Sequence, residues 1–169
     1  MDPTTPTTER AQLGASLSVA RSHIVRILDG LSDADLRRPV LPSGWNCVGL
    51  VQHLAIDVER FWFRAVIAGD RSAIDSFAEA SNAWHVDDAV PNRAVFDLYR
   101  DEIAWSDRVL ETVDLDGLPA WWPEEQFGSA APQRIREIVL HVLVETAGHT
   151  GHLDAVRELI DGRQWLVLD

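Results

Sequence analysis

His141-Val-Leu-Val-Glu145-Thr-Ala-Gly-His149-Thr-Gly-His152 is the stretch on which the fold and the chemistry both turn. It sits inside a longer segment, Ile135 to Ile160, whose apolar spacing predicts a helix. At about 100° per residue, Ile138, Val142, Glu145, His149, His152 and Val156 fall within an arc of roughly 80°. Their spacing alternates four and three, as in the seam of a helix packed in a bundle. Glu145, His149 and His152 therefore interrupt an apolar stripe, with His141 at its edge. Burying a carboxylate and imidazoles without partners costs several kcal/mol, roughly 2–7 for a neutral polar group alone. A metal ion supplies such a partner. Glu145 and His149 are four apart and reach one ion from the same face. His152, three further on, is a fourth ligand or a group behind the ligands.

Working outward, three more helices are expected. Helix one runs from Thr8 to Gly30 with Leu13, Leu17, Ala20, Ile24, Ile27 and Leu31 as its stripe, and His23 exposed beside it. A short capped turn, Leu31-Ser-Asp-Ala-Asp-Leu36, follows. Helix two starts near Asn46, a good N-cap, and runs to Ile67, with Leu50, Leu54, Val58 and Phe61 facing the core. His53 and Asp57 flank that stripe four residues apart. Helix three spans Asn92 to Val113, with Val95, Leu98, Glu102, Trp105, Val109 and Thr112 on one face. Helix four opens near Pro132 and closes at Gly162. Residues 70–91 and 114–131 are long connections, of the kind that cross the end of a domain or line a site. The expectation is an all-α four-helix bundle with a long crossover between helices two and three, spanning 9–169 as one domain behind a disordered tail, 1–8.

Composition excludes several classes. The chain has 169 residues, enough for a real core, and 46% of them are apolar. Its formal charge of −12 opposes contact with nucleic-acid phosphates and with anionic membrane surfaces. Every basic side chain is arginine, so lysine-based Schiff-base chemistry is excluded. A single cysteine, Cys47, excludes an internal disulfide and a cysteine-based zinc site. The Pro- and Thr-rich start lacks the pattern of a signal peptide, and no apolar run is long enough to span a bilayer, so a cytoplasmic location is expected. Seven tryptophans and the apolar end Gln164-Trp-Leu-Val-Leu168 motivate a homodimer.

A ligand from another helix completes the site. His53, Glu145 and His149 give three protein ligands and leave a position open, the pattern of a catalytic metal centre. Imidazole and carboxylate suit zinc, and also nickel, iron(II), cobalt and manganese.

Leu31-Ser-Asp-Ala-Asp-Leu36, Ser43-Gly44-Trp45, Gln52-His53-Leu54 and His149-Thr-Gly-His152-Leu-Asp-Ala-Val-Arg157-Glu-Leu-Ile-Asp-Gly162 resemble the DinB-like superfamily. They are most similar to its branch of mycothiol S-transferases, and the resemblance runs from helix one to Gly162. It implies a four-helix bundle with a metal between helices two and four. The usual triad of that superfamily is one histidine on helix two and His-x3-His on helix four. Glu145 stands where the first of that pair belongs, as in the Glu-x3-His variant of mycothiol-dependent maleylpyruvate isomerase. The second domain of that isomerase is not expected here, so its activity is not carried over.

The resemblance implies zinc as cofactor and mycothiol, a low-molecular-weight thiol, as co-substrate, in detoxifying transfer of sulfur to an electrophile. A free thiol, with pKa near 8.5, is mostly protonated at neutral pH, and coordination to a divalent ion deprotonates it. Asp57 is the candidate catalytic carboxylate, orienting His53 or holding a bound water. Trp45, Trp84, Trp121, Trp122, Arg157 and Arg163 are candidates for the substrate pocket. Two other classes stay open: a metal-dependent hydrolase with water in the open position, and a non-enzymatic metal-stabilised bundle that binds a small molecule or a partner.

Overall fold

A computed structural model describes residues 8–78, 82–128 and 134–165. Among these residues every regular element is helical. The expected opening of helix four at Pro132, most of the tail 1–8 and the apolar residues 166–168 lie outside them.

The chain begins with α1, Glu9–Ile27, capped by the Thr8 side chain, which accepts from the Ala11 N–H. The expected capped turn is a full turn of helix, α2, Asp33–Arg37, with Ser32 as its cap. Helix two begins where Asn46 predicts, because the Asn46 side-chain Oδ1 accepts from the Gly49 N–H at 2.8 Å. It is not one α-helix. It runs as α3, Cys47–His53, and then widens into a π-helix over Leu54–Ile67. Long π-helices are uncommon, and shorter ones cluster at functional sites. This one is enclosed by neighbours on several sides. The 70–91 connection contributes a further helix, α4, Arg71–Ala78, that lies against it, and the two long helices that follow in the chain pack on it as well.

Helix three is α5, Asn92–Thr112, and α6 is a single turn, Glu124–Phe127, within the 114–131 connection. Helix four is α7, Ile135–Asp161. Glu137 accepts from the Arg134 N–H at its start, and Gly162 takes a left-handed φ of 78° at its end, where its N–H bonds to Glu158. α1 packs along α7 and also meets α5, while the π-helix packs along α5 and also meets α7. These four contacts close a ring around one core of Leu17, Ile24, Leu50, Leu54, Phe63, Ile138, Val142 and Leu153, all fully buried.

Two expected faces are rotated. On α5 the buried residues are Asn92, Val95, Tyr99, Glu102, Ser106 and Leu110, so Leu98, Trp105 and Val109 stand at the margin and Thr112 is exposed. On α7 the buried row passes through Ile138, Val142, Thr146, His149, Leu153 and Val156. Glu145 lies at its edge and His152 is exposed, instead of both lying in the seam. His23 is half-buried, edge-on to Trp165 at 6.1 Å, and not fully exposed as expected.

The interior contains charge. Arg21 donates two bonds of 2.7 Å to the Glu59 carboxylate and one of 2.7 Å to Asp107. Burial pulls the Arg21 guanidinium down, but Glu59 and Asp107 more than offset it and hold Arg21 above its ordinary value. Beside this cluster Tyr99 is fully buried, and burial together with Glu59 pushes its phenol far up. Glu102, also buried, is paired to Arg60 and to Arg64, each at 2.8 Å. Cys47 is free and buried, and burial pushes its thiol up to about 11. Among the described residues no helix is long and apolar enough to cross a membrane.

Candidate metal centre

His53 is the last residue of α3, at the point where the helix widens. Asp57, one turn on, reaches back so that its Oδ2 lies 2.8 Å from His53 Nδ1. An ionised carboxylate only accepts, so Nδ1 carries the proton and Nε2 presents a lone pair. That Nε2 is buried and has no hydrogen-bond partner. Its nearest ionic neighbour is Glu145 Oε1, at 4.0 Å across the helix interface.

From α7, Glu145 and His149 approach the same point. Their i,i+4 step places Glu145 Oε1 3.2 Å from His149 Nε2. One ligand atom each from His53, Glu145 and His149 lies within 4.8 Å of the others. Two donors about 2.0–2.2 Å from one ion stand no more than ~4.4 Å apart, so a small closing of the side chains completes the set. Burial, and then the neighbouring His53, push the His149 imidazole below its ordinary value despite Glu145. Both effects favour the neutral ring, the form that ligates. Two nitrogens and a carboxylate oxygen, one of them an orphaned buried acceptor, fit a divalent cation such as zinc.

Aromatic rings wall the cluster. The Trp84 indole stacks on His53 with centroids 4.2 Å apart and planes 19° apart, and it stands 5.6 Å from the His149 ring. Trp45 lies 6.1 Å from Trp84 and 6.5 Å from His152. His152 Nδ1 comes 3.3 Å from His149 Nδ1, and His152 is not among the three residues whose ligand atoms gather at one point.

Other expected pocket residues are elsewhere. Arg157 is buried and engaged: it donates to the Ile27 and Asp29 carbonyls at the end of α1, at 2.7 and 2.9 Å, and pairs with Asp161. These contacts fasten α7 to α1. Arg163 is exposed and leans towards the same Asp161. Trp121 lies at the opposite end of the π-helix, edge-on to Phe61, with its backbone N–H donating to the Val66 carbonyl. Trp122 packs on Trp62 and Phe127, and His141 sits edge-on to Trp62 at 4.9 Å. Gln52 was missed. Its side-chain amide donates to the Ala83 and His85 carbonyls and ties down the loop that carries Trp84. Its only signal in the sequence is its place beside His53.

The family model described as Mycothiol-S-transferase matches residues 12–162, so the chain belongs to that family. No curated protein matches the chain, and no solved structure does.

Proposed function

We propose that this member of the mycothiol-S-transferase family is a zinc-dependent enzyme that joins mycothiol, or a similar small thiol, to electrophiles. The observation that carries the proposal is the buried, unpartnered Nε2 of His53, held towards Glu145 and His149. His53, Glu145 and His149 would hold the ion, which when bound supplies a Lewis acid that favours the thiolate form of the thiol.

The remaining steps belong to the protein. Asp57 keeps the proton of His53 on Nδ1 and so keeps Nε2 free to ligate, the orienting role expected of it. His149 stays neutral because it is buried. Trp84 and Trp45 narrow the approach and exclude water from one side of the cluster. The scaffold we infer is a four-helix bundle with the 70–91 link as crossover. A homodimer is part of the proposal, supported by the exposed Val19 on α1 and the exposed Leu140 and Val144 on α7, at 55%, 45% and 70%. Sedimentation reads the dimer directly, and a monomer of 18.9 kDa would remove that part alone.

Zinc-loaded protein mixed with mycothiol and a chlorinated aromatic electrophile tests the function. Conjugate that forms only with both thiol and zinc is the expected result. Turnover of an ester or amide without thiol would identify a hydrolase instead. Zinc binding without any turnover would leave a binding protein.

A further inference from the structure

Gly49 stands inside α3, where alanine would suit a helix better. A Cβ there would collide with the carbonyl oxygen of Trp84, would lie 3.1 Å from its carbonyl carbon, and would come 3.2 Å from Asn46 Oδ1. The obstacle is backbone, so the loop and not a side chain would have to move. One turn on, Gln52 donates to the carbonyls on either side, Ala83 at 2.9 Å and His85 at 3.1 Å. Three successive peptide units of the loop are therefore held on one face of α3: the first and third by hydrogen bonds, the middle one by the missing side chain. The middle residue is Trp84, whose ring lies flat on His53.

We propose that Gly49 and Gln52 form a seat for the 82–86 loop, and that the seat positions the His53 ring by pressing Trp84 against it. Asp57 bonds Nδ1 and fixes the direction of His53 in its plane; Trp84 covers one face of the ring and stops it from tilting out of that plane. Neither Gly49 nor Gln52 is a ligand, so both are positioning residues. The part of the inference that concerns metal capture rests on the proposed function; the seat itself does not.

The test has one readout without metal and one with it. In the zinc-free full chain, the Trp84 ring shifts the His53 ring-proton resonances upfield. Gly49→Ala, Gln52→Ala and Trp84→Ala are expected to lose that shift and to bind zinc about tenfold to a hundredfold more weakly, the range for groups behind metal ligands. Trp84→Phe, which retains a stacking ring, is expected to keep both. So is Gly14→Ala, a helix-interior control in α1 where a Cβ meets only Leu110 Cδ2 at 3.6 Å. Should Gly49→Ala fail to fold, Gln52→Ala carries the test, since it removes two hydrogen bonds and adds no atom. An unchanged His53 shift in Gln52→Ala and in folded Gly49→Ala overturns the seat. A lost shift with parental zinc affinity overturns its role in positioning. A parent chain that binds no zinc overturns the proposed function, and the resonance shift then decides the seat alone.

Discussion

The π-helix and the residue before it touch two polar clusters, and the two are built differently. Around Glu59, charge is closed: Arg21 spends its guanidinium on Glu59 and Asp107, and a few residues along, Arg60 and Arg64 do the same for Glu102. Around His53, the polar atoms are gathered but left open: Nε2 has no partner, and Glu145 and His149 face it with capacity to spare. Closed clusters hold helices together, whereas open ones are places to bind. The contrast explains why burial alone does not mark a site here. Glu59 and Glu102 are more deeply buried than Glu145, yet Arg21 bonds both oxygens of Glu59, and Arg60 and Arg64 neutralise Glu102, whose Oε2 meets Arg64 Nε as an ion pair without hydrogen-bond geometry.

Exchange of single residues breaks the two clusters in different ways. His149→Ala removes one of the three proposed ligands, so zinc affinity should fall by at least about a thousandfold, ~4 kcal/mol, with helical circular dichroism at 25 °C preserved. Calorimetric titration reads the first and the spectrum the second; loss of the helical signal would make the open cluster a structural one. Glu59→Ala should do the reverse. Arg21 would stay buried with only Asp107, a cost of about 3 kcal/mol at the low end for a broken buried pair. Urea unfolding measures it, and zinc affinity of the folded variant should match the parent. An equal loss of zinc in Glu59→Ala would erase the distinction drawn here.

Smaller effects sharpen the boundary of the open cluster. His152 touches a ligand and is exposed, so His152→Ala should bind zinc within about tenfold to a hundredfold of the parent. A loss as complete as that of His149→Ala would make His152 a ligand. The smallest effect concerns pH in the zinc-free protein. The His149 imidazole is held below its ordinary value near 6.5, first by burial and then by His53. Above that value both the folded and the unfolded chain hold it neutral. As pH falls through it, the unfolded chain takes up the proton before the folded one, so stability falls on acidification. Urea midpoints at pH 7 and pH 5, with a chelator present, should separate further for the parent than for His149→Ala; equal separations would contradict the shift.

Much of the open cluster was legible because it is local. Glu145 and His149 are one helical turn apart, as are His53 and Asp57, and turn spacing is read directly from the chain. The joining of these two pairs needed a second kind of information: a buried donor set wants another ligand. What stayed hidden is non-local. Arg157 looked like a free cation, but its partners are carbonyls of Ile27 and Asp29, more than a hundred residues earlier. Trp84 looked like one of several pocket tryptophans, and only loop geometry sets it on His53. The face of α5 was misjudged because Tyr99 and Ser106 put polar atoms in the core, where an apolar pattern does not look for them; Glu102, on the expected face, is buried as well. The helices α4 and α6 are short, and each was absorbed into an expected connection.

Cys47 acquires a meaning beyond packing. A protein that brings electrophiles to a sulfur nucleophile exposes its own sulfur to the same hazard. Here the single thiol lies at the start of α3, six residues before His53, fully covered, and burial holds it at about 11, protonated well past neutrality. Attack requires both thiolate and access, and the fold withholds both. Under the proposed function, the chain's one cysteine is thereby kept from the electrophiles meant for the intended thiol for as long as the helices stay packed.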